Sequence, residues 1–324
     1  PLGRRPRIAV VSSDLRTHPV AYFTISVLEA LASQAELFIY SSNPRGDNDH
    51  YTRRYAAAAT RWCDTSKLDD GALAEQIRRD EVDIALDLAG HCKGQRLGTF
   101  LLRAAPLQVT WAGYMATTGL STMDVLIADR HHVPVGSEHG YSEEVIRMPD
   151  AFIAYEPPGD LPAIPDLPSE RSGHVTFGSF NILAKLHDEV LTTWAQLLRA
   201  VPGSRLLLKT LALTCPGTRA RLARRLEAAG IDLSRVSMMG GSTVREHMSI
   251  IGEVDVALDT WPFSGSTTTL ETLLMGVPVV TRPGTTFSSR HSLAFLSTVG
   301  VTDGVSNSAE EYVATAARLA NDRN

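Results

Sequence analysis

The segment Asp255–Thr281, DVALDTWPFSGSTTTLETLLMGVPVVT, constrains the fold of this chain more than any other. Its first residues form an apolar run typical of a buried β-strand, and Val277–Thr281 forms a second one. Between the two runs, Pro262 and Gly265 predict a turn, and the leucines that follow predict a helix that ends at Gly276. A strand, a turn of small residues, a helix and a strand in succession indicate a parallel α/β sheet.

Three hydroxyl residues follow this turn. Ser266, Thr267 and Thr268 are placed to cap the helix, and Glu271 stands one turn further on. The first N–H groups of a helix point outward without partners at the positive end of its dipole, where a phosphate or diphosphate binds readily. Two interpretations remain open from these residues alone: an ordinary capped helix and a nucleotide site.

Composition and charge restrict the class of protein. The 324 residues suit two domains, and 44% hydrophobic and 21% charged residues are typical of a soluble globular protein. A net charge of −5, with acids and bases interspersed, does not indicate a nucleic-acid partner. No apolar run approaches the roughly 20 residues that span a bilayer and no signal peptide opens the chain, so we expect no membrane partner and a cytoplasmic location.

The cysteines and the first residue add two expectations. Cys63, Cys92 and Cys215 lack the paired spacing of a zinc site, and we expect them to be reduced thiols. The chain begins at Pro1 rather than at methionine, so we expect it to be part of a longer protein.

The first half, residues 1–150, alternates strands with helices and predicts one domain. Apolar strands are predicted at Arg7–Val11, Val82–Leu88 and Leu107–Trp111. They run into loops of polar and small residues, SSDLRTHPV, LAGHCKG and AGYMATTGLS. Because ligands bind at the carboxyl edge of an open α/β sheet, we expect these loops to contribute to a binding site.

Residues 151–173 interrupt the pattern. They contain five prolines and predict a stiff linker. The alternation restarts over residues 174–324, with strands at His174–Ser179, Arg205–Lys209 and Val236–Met239. Two α/β halves joined by a linker predict a cleft between two domains.

Seven segments of the chain resemble the catalytic region of the protein O-GlcNAc transferase and SPINDLY family of glycosyltransferases. They are SSDLRTHPV, ALDLAGHCKGQRLGTF, RAAPLQVTWAGYMATTGL, MDVLIADR, VTFGSFNILAK, VPGSRLLLK and ALDTWPFSGSTTTLETLLMGVPVVT. They occur in the family's order and spacing across nearly the whole chain. The resemblance implies an α/β fold of the GT-B type, in which two Rossmann-like domains with parallel sheets face each other across a cleft.

The resemblance also implies an activity and its partners. A sugar would pass from a nucleotide diphosphate to a protein hydroxyl group with inversion, and neither a metal nor another cofactor would be needed. The partners implied are the nucleotide sugar, protein acceptors and upstream TPR helical repeats. This chain has only the linker where the animal enzymes have a long insert, which is typical of bacterial members. It also stops before the family's tail helix, so we expect a truncated C-terminal domain with reduced stability or activity.

By this resemblance, the second domain binds the nucleotide sugar. Lys185 matches the phosphate-binding lysine of FGSFNxLAK and would offset the charge that grows on the leaving oxygen. Glu271 matches an acidic residue that binds the ribose hydroxyls, and His247 matches a histidine near the base. The other residues predicted in this site are Asn181, Ser242, Ser266, Thr267 and Thr268. The best-known members carry histidine where this chain has Ser266.

The first domain supplies the remaining candidates. His18 matches the histidine of the family's D-x-x-x-H-P motif, and an ordinary histidine pKa of about 6.5 suits a general base. A phosphate oxygen or a chain of waters would be the alternative proton acceptor. Asp87 and His91, from DLAGH, are the second catalytic candidates. The residues predicted to hold the sugar or the acceptor backbone are Tyr114, Thr117 and Thr118.

Three functions therefore remain open. The first is an O-GlcNAc transferase that uses UDP-GlcNAc and modifies Ser or Thr of proteins. The second is a SPINDLY-like O-fucosyltransferase that uses GDP-fucose. The third is a non-catalytic module that binds a nucleotide sugar, which the substitution at Ser266 and the missing ends suggest.

Overall fold

The computed structural model describes residues 3–43, 48–157, 159 and 161–322. These residues divide into two compact units, residues 1–157 (unit 1) and 158–324 (unit 2). Pro1, Pro158, Asp160 and the last residues of the expected truncated tail, 323 and 324, lie outside the described part. Within that part, no helix combines the length and the apolar character that crossing a membrane requires.

Unit 1 is built on a parallel sheet of seven described strands. In chain order the strands are Arg7–Ser12 (β1), Glu36–Ser41 (β2), Arg61–Asp64 (β3), Ile84–Asp87 (β4), Leu107–Thr110 (β5), Val125–Asp129 (β6) and Glu144–Met148 (β7). The strand order is β3-β2-β1-β4-β5-β6-β7, and every pairing is parallel. The carboxyl ends of β1, β4 and β5 are therefore adjacent, as the loops at these positions predict.

Helices connect these strands. The helices of unit 1 are Pro19–Leu31 (α1), His50–Ala58 (α2), Asp70–Arg79 (α3) and Leu97–Leu101 (α4). One face of the sheet packs on α3 and α4 through a buried cluster that includes Val11, Leu73 and Phe100. Burying these apolar side chains supplies the driving force for the unit.

Unit 2 has a second parallel sheet, with the order β10-β9-β8-β11-β12. Its strands are Thr176–Ser179 (β8), Arg205–Lys209 (β9), Val236–Met239 (β10), Val256–Leu258 (β11) and Val279–Val280 (β12). Its helices are Pro168–Ser172 (α5), Asp188–Ala200 (α6), Pro216–Ala228 (α7), Val244–Ile251 (α8), Thr267–Leu274 (α9), His291–Thr298 (α10) and Ala309–Asn321 (α11). A cluster around Trp194 of α6 and Tyr312 of α11 packs on one face, and a cluster with Met248 of α8 packs on the other.

The predicted linker, residues 151–173, is shared between the units. On the unit 1 side, the Phe152 carbonyl accepts a hydrogen bond from Trp111 Nε1. The Glu156 N–H donates to the Tyr22 carbonyl of α1 at 2.7 Å. On the unit 2 side, the sequence Pro168–Ser172 forms α5, a helix that the proline-rich composition did not predict.

The alternation of strands and helices is confirmed, and the differences are local. Helix α1 begins at Pro19, because His18 caps it and Pro19 suits the first helical position. Strand β3 and helices α4, α10 and α11 were not predicted. β3 is only four residues long and partly exposed, so it lacks the apolar run that marks a buried strand.

Candidate nucleotide-sugar site

In unit 2, the carboxyl ends of β8, β9, β10 and β11 lie side by side at one edge of the sheet. The segment between β11 and α9, residues 259–266, is called here the α9 turn. Asp259 holds it: Oδ1 accepts a hydrogen bond from the Gly265 N–H at 2.6 Å, and Oδ2 accepts one from the Thr281 hydroxyl at 2.7 Å. Burial raises the pKa of Asp259, whereas these hydrogen bonds lower it.

Gly265 is required where the α9 turn meets the helix. A Cβ atom at this position would lie 2.6 Å from Thr269 Oγ1 and 2.7 Å from Thr268 Oγ1. Such distances are shorter than van der Waals contact, so a larger residue would require the threonine side chains or the turn to shift. The sequence identified the glycine as a turn residue but not the packing that requires it.

Helix α9 begins without a side-chain cap, so the predicted capping by Ser266 is wrong. The backbone angles of Ser266, φ −108° and ψ −92°, lie outside the extended region of ordinary caps. Its hydroxyl is buried and, among the described residues, has no hydrogen-bond partner. In the same part of the chain, the N–H groups of Thr267 and Thr268 also have no acceptor. These orphan donors favour an anion site over an ordinary capped helix.

Lys185 brings a positive charge to the α9 turn. It ends a short 3₁₀ turn after β8, and its ammonium group donates to the Ser264 carbonyl at 2.7 Å and to Asn181 Oδ1 at 3.2 Å. Its Nζ also lies 4.0 Å from the centroid of the Phe263 ring, which is a cation–π contact. Lys185 is thus a half-buried cation beside the helix N-terminus.

Burial also changes the acidity of Lys185. It lowers the pKa of the ammonium group to about 8, and the nearby Asp259 carboxyl partly offsets the effect. A lysine with this pKa is still mostly cationic at neutral pH but loses its proton far more readily than a solvated lysine.

Asn181 joins the lysine loop to the first turn of α9. It is 7% exposed, and its Oδ1 accepts from Lys185 and lies 3.5 Å from the Thr268 hydroxyl. The structure therefore brings three of the predicted nucleotide-sugar residues together around one point.

Glu271 and His247 meet a short distance along α9. His247 Nε2 lies 3.3 Å from Glu271 Oε2, and the His247 ring stands edge-on to Phe180 with centroids 5.7 Å apart. His247 Nδ1 is buried and, within the described residues, has no partner. Glu271 therefore contacts α8. It does not cap α9, which is the other role that its position after Ser266 suggested.

Helix α8 is positioned by its own cap. The Thr243 hydroxyl accepts from the Glu246 N–H, and Glu246 Oε2 accepts from the Thr243 N–H at 2.8 Å, which is a capping box. Ser242, just before it, is exposed, and its hydroxyl donates to the Thr243 carbonyl at 3.2 Å. Among the described residues, no hydrogen bond joins Ser242 to His247 or Glu271.

In unit 1, His18 lines a polar cavity of about 380 Å³ together with Ser13, Asp14, Arg16 and Lys93. His18 Nδ1 accepts a hydrogen bond from the Val20 N–H at 3.3 Å and so caps α1. In the neutral ring, Nε2 then carries the proton and lies 3.9 Å from Asp14 Oδ1. Burial lowers the pKa of His18, while Asp14 raises it and Arg16 lowers it.

This hydrogen bonding changes the expected role of His18. A general base needs a free lone pair, and here Nδ1 uses its lone pair on α1 while Nε2 holds a hydrogen. The geometry favours His18 as a hydrogen-bond donor in the cavity.

His91 has the opposite arrangement. Its Nε2 lies 2.8 Å from the Thr118 carbonyl oxygen, which can only accept, so Nε2 donates and Nδ1 keeps a lone pair in the neutral ring. The exposed His91 ring packs edge-on to Tyr114 at 5.2 Å. Gly90 makes this possible: its φ is +50°, and a Cβ there would lie 2.2 Å from Tyr114 Cβ.

Asp87 is buried beneath that loop, and its oxygens are occupied. Oδ1 accepts from the N–H groups of Ala89 and Gly90, and Oδ2 accepts from the Thr110 hydroxyl at 2.9 Å. Burial raises the pKa of Asp87, and these hydrogen bonds oppose the effect. Asp87 is thus suited to hold the loop of His91, which differs from the catalytic role that the sequence suggested.

The hydroxyl groups of Thr117 and Thr118 are also occupied. The Thr117 hydroxyl donates to Glu143 Oε2 at 2.7 Å, and the Thr118 hydroxyl and N–H donate to Glu143 Oε1. Glu143 is 5% exposed and was not singled out from the sequence. It fixes the loop that faces His91, so any contact of this loop with a sugar would come from Tyr114 or the backbone.

No group of three or more His, Cys, Asp or Glu side chains in the described residues is arranged to hold a metal ion. The three cysteines are not in disulfide bonds.

Comparisons with known proteins give the family. The sequence matches glycosyl transferase family 41 over residues 2–157 and 166–324. It is 37% identical over 319 residues to the tomato protein named probable UDP-N-acetylglucosamine–peptide N-acetylglucosaminyltransferase SPINDLY. The aligned region covers 97% of this chain and 34% of that protein. The UDP-N-acetylglucosamine–peptide N-acetylglucosaminyltransferase of Caenorhabditis elegans is 23% identical over 436 residues, 99% of this chain and 38% of that protein. The chain spans about a third of the length of these curated relatives.

Solved structures similar to this chain also belong to glycosyltransferases. A mutant O-GlcNAc transferase of Thermobaculum terrenum is 40% identical, with a TM-score of 0.93 over 99% of this chain and 61% of that chain. Anabaena HepE in complex with UDP and glucose is only 11% identical, with a TM-score of 0.54 over 97% of this chain and 94% of that chain, and shows the fold alone. The predicted fold class, GT-B with two parallel sheets, is confirmed.

Proposed function

The chain belongs to glycosyl transferase family 41, and from this premise we propose that it transfers GlcNAc from UDP-GlcNAc to Ser or Thr hydroxyl groups of proteins, with inversion and without a metal. One observation carries the proposal: Lys185 stands beside the uncapped N-terminus of α9. A cation and free N–H groups at one point suit a diphosphate. The chain spans only a third of its relatives, so the activity of the whole protein is part of the proposal.

In the proposed reaction, the acceptor oxygen attacks C1 of the sugar and the bond between C1 and the diphosphate oxygen breaks. The electron pair leaves with UDP, whose growing charge is stabilised by Lys185 and by the N–H groups of Thr267 and Thr268. Such preorganised donors contribute about 3–4 kcal/mol each to transition-state stabilisation in comparable sites. Glu271 accepts hydrogen bonds from the ribose hydroxyls, and His247 packs beside the base.

The acceptor proton needs a base in unit 1 or on the diphosphate. His91 Nδ1 has a lone pair in the neutral ring, and we propose it as the residue that accepts the proton. His18 donates a hydrogen bond through Nε2. The alternative proton acceptor is a diphosphate oxygen or a chain of water molecules, which the sequence analysis also left open.

The proposal is tested by a transfer assay. Wild-type protein, Lys185→Ala and Lys67→Ala are incubated with UDP-GlcNAc and a Ser- and Thr-containing acceptor protein, and mass spectrometry measures the added sugar. Lys185→Ala should lose about 10²–10³-fold in kcat, because one strong donor to the leaving group is removed. Lys67 is exposed on unit 1, so its substitution is the matched control. Unchanged transfer by Lys185→Ala would exclude this mechanism.

A SPINDLY-like O-fucosyltransferase that uses GDP-fucose is the second candidate. The relatives named SPINDLY are 35–38% identical, against 30% for the Arabidopsis SEC protein and 23% for the nematode enzyme. Titrating the protein with UDP and with GDP separates the two donors. Binding of GDP without binding of UDP would replace the first candidate by the second.

A non-catalytic binding module is the third candidate. It predicts nucleotide binding that depends on Lys185 but no transfer from either donor, even in the full-length protein. The proposal also includes protein acceptors, upstream TPR repeats and a cytoplasmic location for the full-length protein. Pull-down of the full-length protein tests the acceptors, and cell fractionation tests the location.

A further inference from the structure

Glu143, the residue before β7, is a buried carboxylate to which the proposed mechanism gives no part. It is 5% exposed, and no ion pair joins it to another described residue. Acidic residues are almost never buried without partners, because removing a carboxylate from water is costly unless other groups replace the lost hydrogen bonds. The contacts that replace them show what Glu143 holds in place.

Both carboxylate oxygens of Glu143 are bound by two consecutive threonines. Oε2 accepts a hydrogen bond from the Thr117 hydroxyl at 2.7 Å. Oε1 accepts one from the Thr118 N–H at 2.7 Å and another from the Thr118 hydroxyl. Thr118 is only 3% exposed, so these hydrogen bonds form away from water, where they are stronger. Glu143 therefore fixes the backbone of the loop at Thr118.

The carbonyl group of Thr118 connects Glu143 to His91. His91 Nε2 lies 2.8 Å from the Thr118 carbonyl oxygen, and the His91 ring packs edge-on to Tyr114 with centroids 5.2 Å apart. His91 is an exposed residue, and no other hydrogen bond to a described residue restrains its ring. The position of one backbone carbonyl group therefore decides how the ring is held.

This carbonyl group also decides which nitrogen of His91 carries the hydrogen. A carbonyl oxygen can only accept, so it selects the neutral ring in which Nε2 is the donor and Nδ1 has the lone pair. Without such an acceptor, a solvated ring rotates and exchanges between its two tautomers. A general base needs its lone pair within hydrogen-bond reach of the proton that it accepts. Loss of the Thr118 contact would therefore leave Nδ1 correctly placed for only part of the time.

We propose that Glu143 is a positioning residue for His91: through Thr118, it holds the ring with Nε2 as the donor and Nδ1 as the proton acceptor. The inference rests on the proposed function, because His91 accepts a proton only in that reaction. Glu143 touches neither the sugar nor the acceptor. Its role complements that of Asp87, which holds the loop that carries His91, whereas Glu143 holds the loop that His91 contacts.

The test reads the tautomer of His91 by NMR. Protein with isotope-labelled histidine is studied in mildly alkaline solution, where the ring is neutral, and His91→Asn identifies the His91 signals. In wild-type protein, long-range proton–nitrogen correlations should show the Nε2–H form alone. In Glu143→Ala, the two ring nitrogens should shift toward the values of a histidine that exchanges between tautomers. Glu144→Ala, at the exposed neighbouring position, is the matched control and should leave the spectrum unchanged.

Conservative variants separate the position of the loop from the charge of Glu143. Glu143→Gln keeps the length of the side chain, and its amide oxygen can accept from both donors of Thr118, so it should retain the wild-type spectrum. Glu143→Asp is one methylene group shorter and cannot hold both threonines at these distances. It should shift the His91 signals in the same direction as Glu143→Ala, and it replaces that variant if Glu143→Ala does not fold.

Transfer kinetics give a second readout. Glu143→Ala should lower kcat about tenfold or more, because a positioned general base contributes about 10²–10⁴-fold to the rate. KM for the donor should be nearly unchanged, because the proposed donor residues lie in unit 2 and the lost interaction acts only in the transition state. Glu144→Ala should keep the wild-type kcat.

The outcomes distinguish this inference from the proposed function. A wild-type spectrum in folded Glu143→Ala would overturn the inference alone. A shifted spectrum with wild-type kcat would also overturn it, since the proton would then go to another acceptor than His91. If the wild-type protein transfers sugar from neither UDP-GlcNAc nor GDP-fucose, the proposed function fails and the inference fails with it.

Discussion

Lys185 shows how one residue acquires its chemistry from distant parts of the chain. Its contacts are to the Ser264 carbonyl, 79 positions away, and to the face of Phe263. Burial lowers the pKa of the ammonium group to about 8, and the Asp259 carboxyl opposes this shift. The charge that the diphosphate needs is therefore present at neutral pH and is lost in mildly alkaline solution.

We predict that nucleotide affinity depends on this proton. The folded pKa of Lys185 lies below the ordinary value of 10.5, so the free protein loses the charge as pH rises through about 8. UDP should bind progressively more weakly between pH 7 and pH 9 in isothermal titration. Lys185→Arg stays cationic and should remove this dependence. The same pH dependence in Lys185→Arg would assign it to another group.

At the scale of elements, the N-terminus of α9 depends on how closely the α9 turn packs on the helix. The helix has free N–H groups because Ser266 leaves the capping geometry, and Gly265 allows the turn to lie against the helix. The glycine therefore affects binding through the position of the whole helix end.

Gly265→Ala tests that dependence. The new Cβ would overlap the hydroxyl oxygens of Thr268 and Thr269, so we expect a stability loss of about 1–3 kcal/mol and a clear loss of UDP affinity. Gly217→Ala is the control: it lies at the start of α7, and its Cβ would meet only Cys215 Sγ, at 3.9 Å. Chemical denaturation and titration measure both effects, and wild-type affinity in Gly265→Ala would contradict the prediction.

The loop after β6 is held by a buried pair, Asp129 and His132. His132 Nδ1 lies 2.8 Å from Asp129 Oδ2, and both side chains are almost completely buried. Burial alone would raise the pKa of Asp129, but the hydrogen bond and charge of His132 and backbone N–H groups bring it down to about 2.

This pair predicts acid sensitivity. Because the folded pKa of Asp129 lies below its ordinary value of 3.8, the pair stabilises the protein above about pH 4, and the contribution is lost as pH falls from 4 to 2. His132→Ala should lower the free energy of unfolding at pH 7 by about 2 kcal/mol or more and reduce this loss. The control is His139→Ala, an exposed site. Denaturant unfolding between pH 2 and pH 7 measures both, and equal curves for His132→Ala and wild type would refute the assignment.

At the scale of the whole molecule, each unit has its own sheet and its own core. Trp194 is fully buried in unit 2, where it packs in a cluster with Phe177, Leu206 and Tyr312. The core of unit 1 contains different residues, among them Tyr40 and Phe100. We therefore expect the two units to unfold in separable steps.

Trp194→Ala tests this expectation. Loss of a buried tryptophan should destabilise unit 2 by about 3–5 kcal/mol, so calorimetry should show one transition at a lower temperature and the other nearly unchanged. Val299→Ala, at an exposed position of the same unit, is the control. A single transition that moves as a whole would mean that the units unfold together.

The sequence by itself determined the alternation of strands and helices in both units, the family, and the loops that carry the candidate residues, but not β3, α4, α5, α10 and α11. These features follow from patterns of neighbouring residues, such as the apolar runs around Ser266 and the motif that ends at Lys185, and such patterns can be read locally. The exact ends of helices and strands, and the short elements β3 and α5, could not be predicted from the sequence because their residue patterns are weak.

Only the tertiary structure decided what the side chains do. Among the described residues, it left the Ser266 hydroxyl without a partner, occupied both oxygens of Asp87 and gave His18 and His91 opposite hydrogen-bonding patterns. The physical reason is that burial, hydrogen-bond partners and electrostatic neighbours come from segments far apart in the chain. Residue type and spacing place a side chain at the edge of a sheet, whereas packing decides its charge, its tautomer and its freedom to bind.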